Sequence, residues 1–287
     1  MPSRKLKQWT RSFKQASPLP GFGLSLGYTL FFLTGIVLLP LAATVLRSLH
    51  GGSAEFLHAI STPRVAAACR VTLESALIAS VLSASYGFLI AWVLARYDFP
   101  GRRIVDALID LPFALPTAVA GIALTTLYAQ NGWLGRYLEP HGIHIVFTQA
   151  GIVLAMSFVG LPFVVRSVQP VLEEIDPAME EAAESLGASN WQIFSRVLAP
   201  ASFPALVTGS ALAFARAAGE YGSVIFIAGN MPMKTEIGAL LIVTKLEEYD
   251  NVGASAIAVA MLGLSFVVML ALNLLQWKLQ SRNGVRS

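Results

Sequence analysis

Two opposite charges, Arg216 and Glu220, stand four residues apart inside a long apolar segment of the sequence. On a helix, residues at this spacing share one face. Each charge would cost about 2.5–3.5 kcal/mol if it faced lipid, so both are expected to face protein or water. An arginine offers a planar fork of N–H donors that suits a tetrahedral oxyanion. Two interpretations stay open: a structural ion pair, or an anion path whose charge is set by Arg216 and restrained by Glu220.

Two prolines, Pro112 and Pro116, lie at the start of another apolar segment. Each lacks a backbone N–H and interrupts a helix. At membrane depth such an interruption survives only where protein or water satisfies the freed backbone groups. A kink that lines a cavity or gate and a purely structural kink both fit this pattern. We therefore group both prolines with Arg216 and Glu220 as candidates for a translocation path.

A strongly acidic window, residues 173–187, contrasts with the apolar remainder of the chain. It predicts a short helix that is capped by Asp176, has Pro177 in its first position and ends before Gly187. Apolar residues recur at i, i+3, i+4 and i+7 and form one narrow stripe. The stripe comprises Met179, Ala182, Ala183 and Leu186. A short helix that is apolar on one side and acidic on the other is expected to contact a partner.

The sequence contains no nucleophile motif and no pair of carboxylates placed for catalysis. It also lacks the G-x-x-x-x-G-K-[ST] loop, so we expect no ATPase site of its own and no enzymatic activity. The single cysteine, Cys69, excludes an internal disulfide and cysteine-based metal sites. His141 and His144 have a spacing that suits a metal on a helix, but no third ligand accompanies them. We therefore expect no metal and no bound cofactor.

The composition is that of an integral membrane protein. Of 287 residues, 55% are hydrophobic and 13% are charged, against about 25% charged in a soluble domain. The net charge of +3 arises from clustered basic residues. We interpret these clusters as a signal of membrane orientation, and we expect no nucleic-acid binding.

Six membrane-spanning helices are predicted within one domain, residues 21–277, between a basic tail (1–20) and a second tail (278–287). The first uncharged run is longer than the core of about 7–15 residues in a cleaved signal peptide. The predicted spans are 24–46, 71–94, 111–128, 150–168, 206–228 and 254–277. With the N-terminus inside, thirteen Lys and Arg residues fall on cytoplasmic segments and five on outer ones. This bias places both tails and the acidic window in the cytoplasm.

The acidic window and its continuation resemble the EAA loop of ABC-importer permeases, whose pattern is E-A-A-x3-G-x9-I-x-L-P. Here the loop covers residues 173–200. Glu181-Ala182-Ala183 is followed after three residues by Gly187 and, nine residues later, by residues 197–200 (VLAP). Valine and alanine replace the family's isoleucine and leucine, whereas the glycine spacing and Pro200 are intact.

Three further segments are similar to the T-type subunit of sulfate/thiosulfate permeases. They are residues 96–102 (RYDFPGR), 110–121 (DLPFALPTAVAG) and 219–230 (GEYGSVIFIAGN), within a likeness from about residue 20 to residue 276. Molybdate permeases share similar segments, so a molybdate or tungstate permease stays open as an alternative. An ion-driven secondary transporter is a weaker alternative, because the spans lack an acid relay and the coupling motif is present.

The resemblance implies the all-α type I importer permease fold, with six transmembrane helices and a cytoplasmic coupling helix between helices 4 and 5. It implies a multi-pass protein of the bacterial inner membrane, embedded in the lipid bilayer. The implied partners are two ATPase subunits that bind ATP and Mg, a second permease (a W-type paralogue or another copy) and an outer sulfate-binding protein. The residues it assigns to coupling are Glu181, Ala182, Ala183, Leu186, Gly187 and Pro200.

Overall fold

The computed structural model describes residues 22–282, with side chains as far as residue 274, and contains helices but no strand in that part of the chain. The predicted basic tail, 1–20, lies outside the described residues, as do the last five residues of the second tail. The helices in chain order are α1 (Phe22–Ser48), α2 (Gly52–Ile60), α3 (Pro63–Arg96), α4 (Arg102–Ile109), α5 (Leu111–Ala114), α6 (Thr117–Tyr128), α7 (Gly135–Leu138), α8 (Gln149–Glu174), α9 (Pro177–Ser185), α10 (Asn190–Ala218), α11 (Val224–Ile227), α12 (Gly238–Glu247) and α13 (Asn251–Arg282).

Five of these helices, α1, α3, α8, α10 and α13, are long and apolar enough to cross a membrane. The chain is therefore a multi-pass helical membrane protein. The third predicted span, 111–128, is not one helix: it is divided into α5 and α6. Leu115 between them is extended, with φ −84° and ψ 136°, because a residue that precedes proline disfavours the helical region. The twelve residues of α6 cover about 18 Å, less than the hydrocarbon core of about 30 Å.

The fifth predicted span, 206–228, has different bounds in the structure. Helix α10 begins much earlier, at Asn190, and ends at Ala218, so that residues 219–223 are irregular. The segment directly before Pro200 is the first part of α10. A π-helical turn, Phe194–Leu198, ends two residues before Pro200. This wider turn opens the helix where the proline ring would otherwise meet the carbonyl group four residues earlier.

Helices α3, α8 and α10 form the centre of the bundle. Small residues allow their backbones to approach closely, as in other membrane bundles. A Cβ on Gly209 of α10 would lie 2.9 Å from Val164 Cα of α8, and a Cβ on Gly87 of α3 would meet the same valine. Ser80 Oγ of α3 donates a hydrogen bond to the Ser210 carbonyl of α10, at 2.7 Å. These contacts fix the three helices as the frame on which the other elements are placed.

Helix α1 packs against the rest of the chain through one half only. Its last segment, Leu39–Ser48, contacts α13, and Ser48 is its one buried residue. The remaining apolar surface of α1 is uncovered within the single chain. The part of this apolar helix that has no neighbour in the chain is expected to face lipid or another membrane subunit.

Candidate translocation path and coupling surface

Arg216 and Glu220 form the predicted ion pair, with 2.5 Å between Nη1 and Oε2. Arg216 lies in the last turn of α10, and Glu220 follows the end of the helix. The Glu220 side chain is 1% exposed. Its Oε1 accepts hydrogen bonds from the Ser223 backbone N–H and hydroxyl, both at 2.9 Å. Glu220 is therefore a fully paired carboxylate that holds the irregular segment 219–223 in place.

Arg216 has a different environment, since its side chain is 35% exposed. The ion pair engages one guanidinium nitrogen, whereas an arginine has five N–H donors. No second partner for it occurs among residues 22–274, whose side chains are described. Arg216 lies six residues beyond Ser210, or about 9 Å along the helix. Because Ser210 bonds to Ser80 near the middle of α3, Arg216 lies well inside the length of the bundle.

The interruption after α10 packs directly on the interruption before α6. A Cβ on Gly222 would overlap the hydroxyl oxygen of Thr117, the first residue of α6. A Cβ on Gly121 would in turn lie 2.8 Å from Ser223 Cα. Close contact between the two segments therefore requires glycine at both positions. The structure thus brings the break at Pro116 together with the loop that contains Glu220, although these sites lie about a hundred residues apart.

Pro112 lies one short helix away from this contact. It occupies the start of α5, whose Phe113 ring meets Phe163 of α8 edge to face at 5.2 Å. Discontinuous helices whose ends meet inside a membrane bundle are a recurrent way to build a transport site. The four path candidates are consequently arranged around two helix interruptions.

Helix α9 has the ends predicted from the acidic window. The Asp176 side chain accepts a hydrogen bond from the Ala178 N–H at 2.9 Å, and Pro177 is the first helical residue. Gly187 follows the helix with φ +82°. The N–H groups of Gly187 and Ala188 donate to Glu184 O (2.8 Å) and Ala183 O (3.0 Å), which is the Schellman arrangement.

The surface of α9 is uncovered, and none of its residues is buried. In the apolar stripe, the exposed fractions are 55% for Met179 and 89% for Leu186. Five of the six coupling candidates belong to α9 and its C-terminal cap. The sixth, Pro200, is part of α10 and is separated from them by a turn and a π-helical segment.

The sequence did not identify three ion pairs, formed by two arginines, that anchor elements at the α9 end of the bundle. Arg96, in the last turn of α3, pairs with Glu180 of α9 at 2.7 Å. Arg166 of α8 donates to Asp106 Oδ1 (2.7 Å) and to both Asp110 oxygens (2.9 and 2.6 Å). Asp106 of α4 and Asp110, which directly follows this helix, have i, i+4 spacing, and this spacing was the one sequence signal for the second cluster.

His141 and His144 are engaged in local bonds. His144 Nδ1 lies 2.7 Å from Glu139 Oε2, and His141 Nδ1 lies 2.9 Å from the Tyr137 carbonyl. Within the described part of the chain, no group of three or more His, Cys, Asp or Glu side chains could hold a metal ion.

An apolar helical bundle with two facing interruptions and an uncovered amphipathic helix at one end has the architecture of an importer permease. The chain belongs to the family of binding-protein-dependent transport system inner membrane components, whose sequence profile matches residues 87–281.

Curated relatives are similar over nearly the full length. The sulfate transport system permease protein CysT of Escherichia coli (strain K12) is 51% identical over 268 residues, which cover 93% of this chain and 95% of the relative. The protein of the same name from Synechocystis sp. is 45% identical over 275 residues, which cover 96% of this chain and 94% of the relative.

Solved structures show the same fold at low identity. A subunit of a bacterial ABC transporter that imports the acidic polysaccharide alginate has a TM-score of 0.75 at 15% identity, covering 99% of this chain and 100% of that one. A chain of the MetNI methionine ABC transporter has a TM-score of 0.55 at 18% identity. This match covers 75% of the present chain and 94% of the MetNI chain.

Proposed function

We propose that this chain is a membrane-spanning subunit of an ATP-driven importer that moves sulfate or thiosulfate into the cytoplasm. The observation that carries the proposal is the 51% identity, over 93% of the chain, to a permease named for sulfate transport. The partly exposed Arg216 guanidinium supports an anionic substrate, because its remaining N–H donors suit the oxygens of a tetrahedral anion.

The energy source lies in other subunits. The sequence has no phosphate-binding loop of the P-loop type, so ATP and Mg would be bound by two partner ATPase subunits. The uncovered stripe of α9 is the surface for that contact: its small alanines permit close approach, and Glu181 can pair with basic groups on the ATPase. A second permease, W-type or another copy, and an outer sulfate-binding protein complete the assembly.

The orientation follows from the charges. The basic bias toward the tails and the α9 side supports a topology in which α9 and both termini lie in the cytoplasm of a bacterial-type cell, with the chain in its inner membrane.

Transport then proceeds by alternating access. Closure of the ATPases on ATP moves α9, and the bundle around the two helix interruptions reorients the site beside Arg216. Each step requires that ATP and the anion bind with different affinities to the outward-facing and the inward-facing states of the transporter.

Uptake of radiolabelled sulfate by cells that express the chain with its partners tests the proposal. We expect ATP-dependent uptake that excess thiosulfate inhibits and that vanishes when the ATPase subunits are deleted. Stronger competition by molybdate than by thiosulfate would identify a molybdate or tungstate permease. Uptake that persists without the ATPases would identify an ion-driven secondary transporter.

Arg216→Ala tests the anion path. A hydrogen bond to a charged group contributes about 1.5–3 kcal/mol, and a loss of about 1.4 kcal/mol weakens binding about tenfold. We therefore expect sulfate uptake to fall about tenfold or more while the subunits still co-purify. Arg70→Ala is the control, because Arg70 belongs to an exposed pair with Glu74. Unchanged uptake by Arg216→Ala would assign the pair a structural role alone.

A further inference from the structure

Helix α9 is weakly attached to the rest of the chain. It buries no residue, and the helix packed against it is the first turn of α10, Asn190–Ile193. Its other side-chain bonds are local: Asp176 caps its start, and Ser185 Oγ donates to Glu181 O. An element with so little packing has its orientation set by the few strong interactions that reach it.

Arg96 supplies such an interaction from the end of α3. One nitrogen, Nη2, lies 2.7 Å from Glu180 Oε1 and 3.1 Å from the carbonyl oxygen of Ile175. Ile175 directly follows the last residue of α8, and Glu180 lies in the first half of α9. Arg96 therefore holds the helix and the linker that leads into it. Among the described side chains, this is the one ion pair or hydrogen bond that joins α9 to the transmembrane bundle.

The pair is shielded from water, since the side chains of Arg96 and Glu180 are 15% and 28% exposed. Shielding makes a charge pair stronger than one on the surface and makes the loss of one partner more disruptive. Arg96 Nε is also buried without a hydrogen-bond partner. An unpaired buried donor is unfavourable, so the arrangement is not the one that satisfies this arginine best.

We propose that Arg96 is a positioning residue for coupling: through Glu180 and the Ile175 carbonyl it fixes α9 relative to α3 and passes movement of α9 into the bundle. The inference rests on the proposed function of α9 as the ATPase contact. It differs from that proposal, because Arg96 and Glu180 act within this chain and contact no partner in this role.

The chain provides matched controls for both charges. Arg102 lies at the same end of the bundle, and its partners, Asp98 and Glu173, do not belong to α9. Glu184 lies one turn after Glu180 on α9 and has no ion pair within the described residues. Arg102→Gln and Glu184→Gln therefore remove the same charges from the same region. They leave intact the contact of Arg96 with Glu180 and with the Ile175 carbonyl, which we call the α9 tether.

The first test measures sulfate transported per ATP hydrolysed by the reconstituted complex. We expect Arg96→Gln and Glu180→Gln to lower this ratio at least threefold while the ATPase subunits still co-purify. Arg96→Lys and the exchange Arg96→Glu with Glu180→Arg should restore at least half of it, and both controls should keep the normal ratio. A purely structural role would lower the amount of complex and leave the ratio unchanged, which would overturn the proposal.

The second test needs no transport and uses the purified permease chain. Cys69 is the single cysteine, so Cys69→Ser with Ser185→Cys provides one site for a nitroxide label on the exposed side of α9. We expect label mobility to rise in Arg96→Gln and Glu180→Gln, and to stay unchanged in Arg102→Gln. Equal label mobility in all variants would overturn the proposal that the α9 tether positions α9, even if the wild-type protein transports sulfate. A complex that moves no sulfate, yet shows the mobility difference, would refute the proposed function and leave the tether standing.

Discussion

At the scale of single residues, Gly187 shows how backbone conformation sets a surface. Its φ of +82° ends α9 and leaves open space around the Cα, so the constraint is conformational, not steric. A residue other than glycine in this left-handed region costs about 1–2 kcal/mol, and asparagine is among the few that adopt it readily. The Schellman bonds of Gly187 and Ala188 depend on that conformation.

Gly187→Val should uncouple transport. We expect sulfate uptake to fall about tenfold, because a strain of about 1–2 kcal/mol unwinds the last turn of α9. Gly187→Asn should retain most of the uptake. Gly52→Val is the control: its φ is +85°, it has equally open surroundings, and it lies outside α9. Normal uptake by Gly187→Val, measured at equal protein level in the membrane, would show that the coupling assignment is wrong.

Residue pairs only a few positions apart in the sequence were predictable, whereas pairs between elements far apart in the sequence were not. The spacing of Arg216 and Glu220 predicted their contact, and the cap residues of α9 predicted both of its ends. No spacing rule connects Arg96 with Glu180, since the partners lie on different elements and meet only after the bundle has formed.

At the scale of elements, prolines explain where the predicted spans and the observed helices differ. Pro116 forces Leu115 out of the helical region and divides the third span. Pro200 and Pro204, in contrast, lie inside α10 and do not end it. Hydropathy alone treats these cases alike, because it reports the apolar length of a segment and not its backbone path. The number of six continuous spans is therefore not confirmed, although the helical membrane fold is.

Helix α3 is also tied to the loop before α12. Arg64 donates two hydrogen bonds to Glu236, at 2.8 and 2.7 Å, and the Glu236 side chain is 1% exposed. Removing the arginine leaves a buried carboxylate without its partner, which costs about 3–5 kcal/mol when both groups are buried. Because the Arg64 side chain is 36% exposed, we expect about 2 kcal/mol.

Arg64→Ala should therefore lower the thermal midpoint of the purified protein by about 5 °C, at about 2–4 °C per kcal/mol. Unfolding followed by tryptophan fluorescence in detergent measures this shift. Arg70→Ala on the same helix is the comparison. Its pair with Glu74 is 76% and 45% exposed, and exposed pairs contribute at most about 1 kcal/mol. Equal shifts in the two variants would contradict a stabilising role for the Arg64–Glu236 pair.

At the scale of the whole molecule, the predicted orientation in the membrane rests on charges that hydropathy ignores. The thirteen-to-five bias of Lys and Arg predicts that α9 and both termini lie on one side of the membrane. The fold is compatible with this arrangement, because α3 ends and α10 begins beside α9.

Reporter fusions check the orientation. Green fluorescent protein fused after Ser287 should fluoresce, because that reporter folds in the cytoplasm. Alkaline phosphatase fused after Gly142 should be active, since that reporter requires export, and the same enzyme fused after Gly187 should be inactive. The reverse pattern would place α9 on the outer side and would remove the basis for an ATPase contact there.

Helix α3 has an arginine ion pair at each end, with Arg64 bound to Glu236 and Arg96 bound to Glu180. Its 34 residues form an uninterrupted rod of about 50 Å. In mechanical terms such a rod is a lever, and a tilt of about 5° about one end displaces the other by about 4 Å. A proline placed in the middle of α3 would kink the helix and absorb this displacement. The stiffness of α3, a helix that contacts neither the ATPase nor the anion in this view, would then determine how much of the movement at one end of the helix reaches the other end.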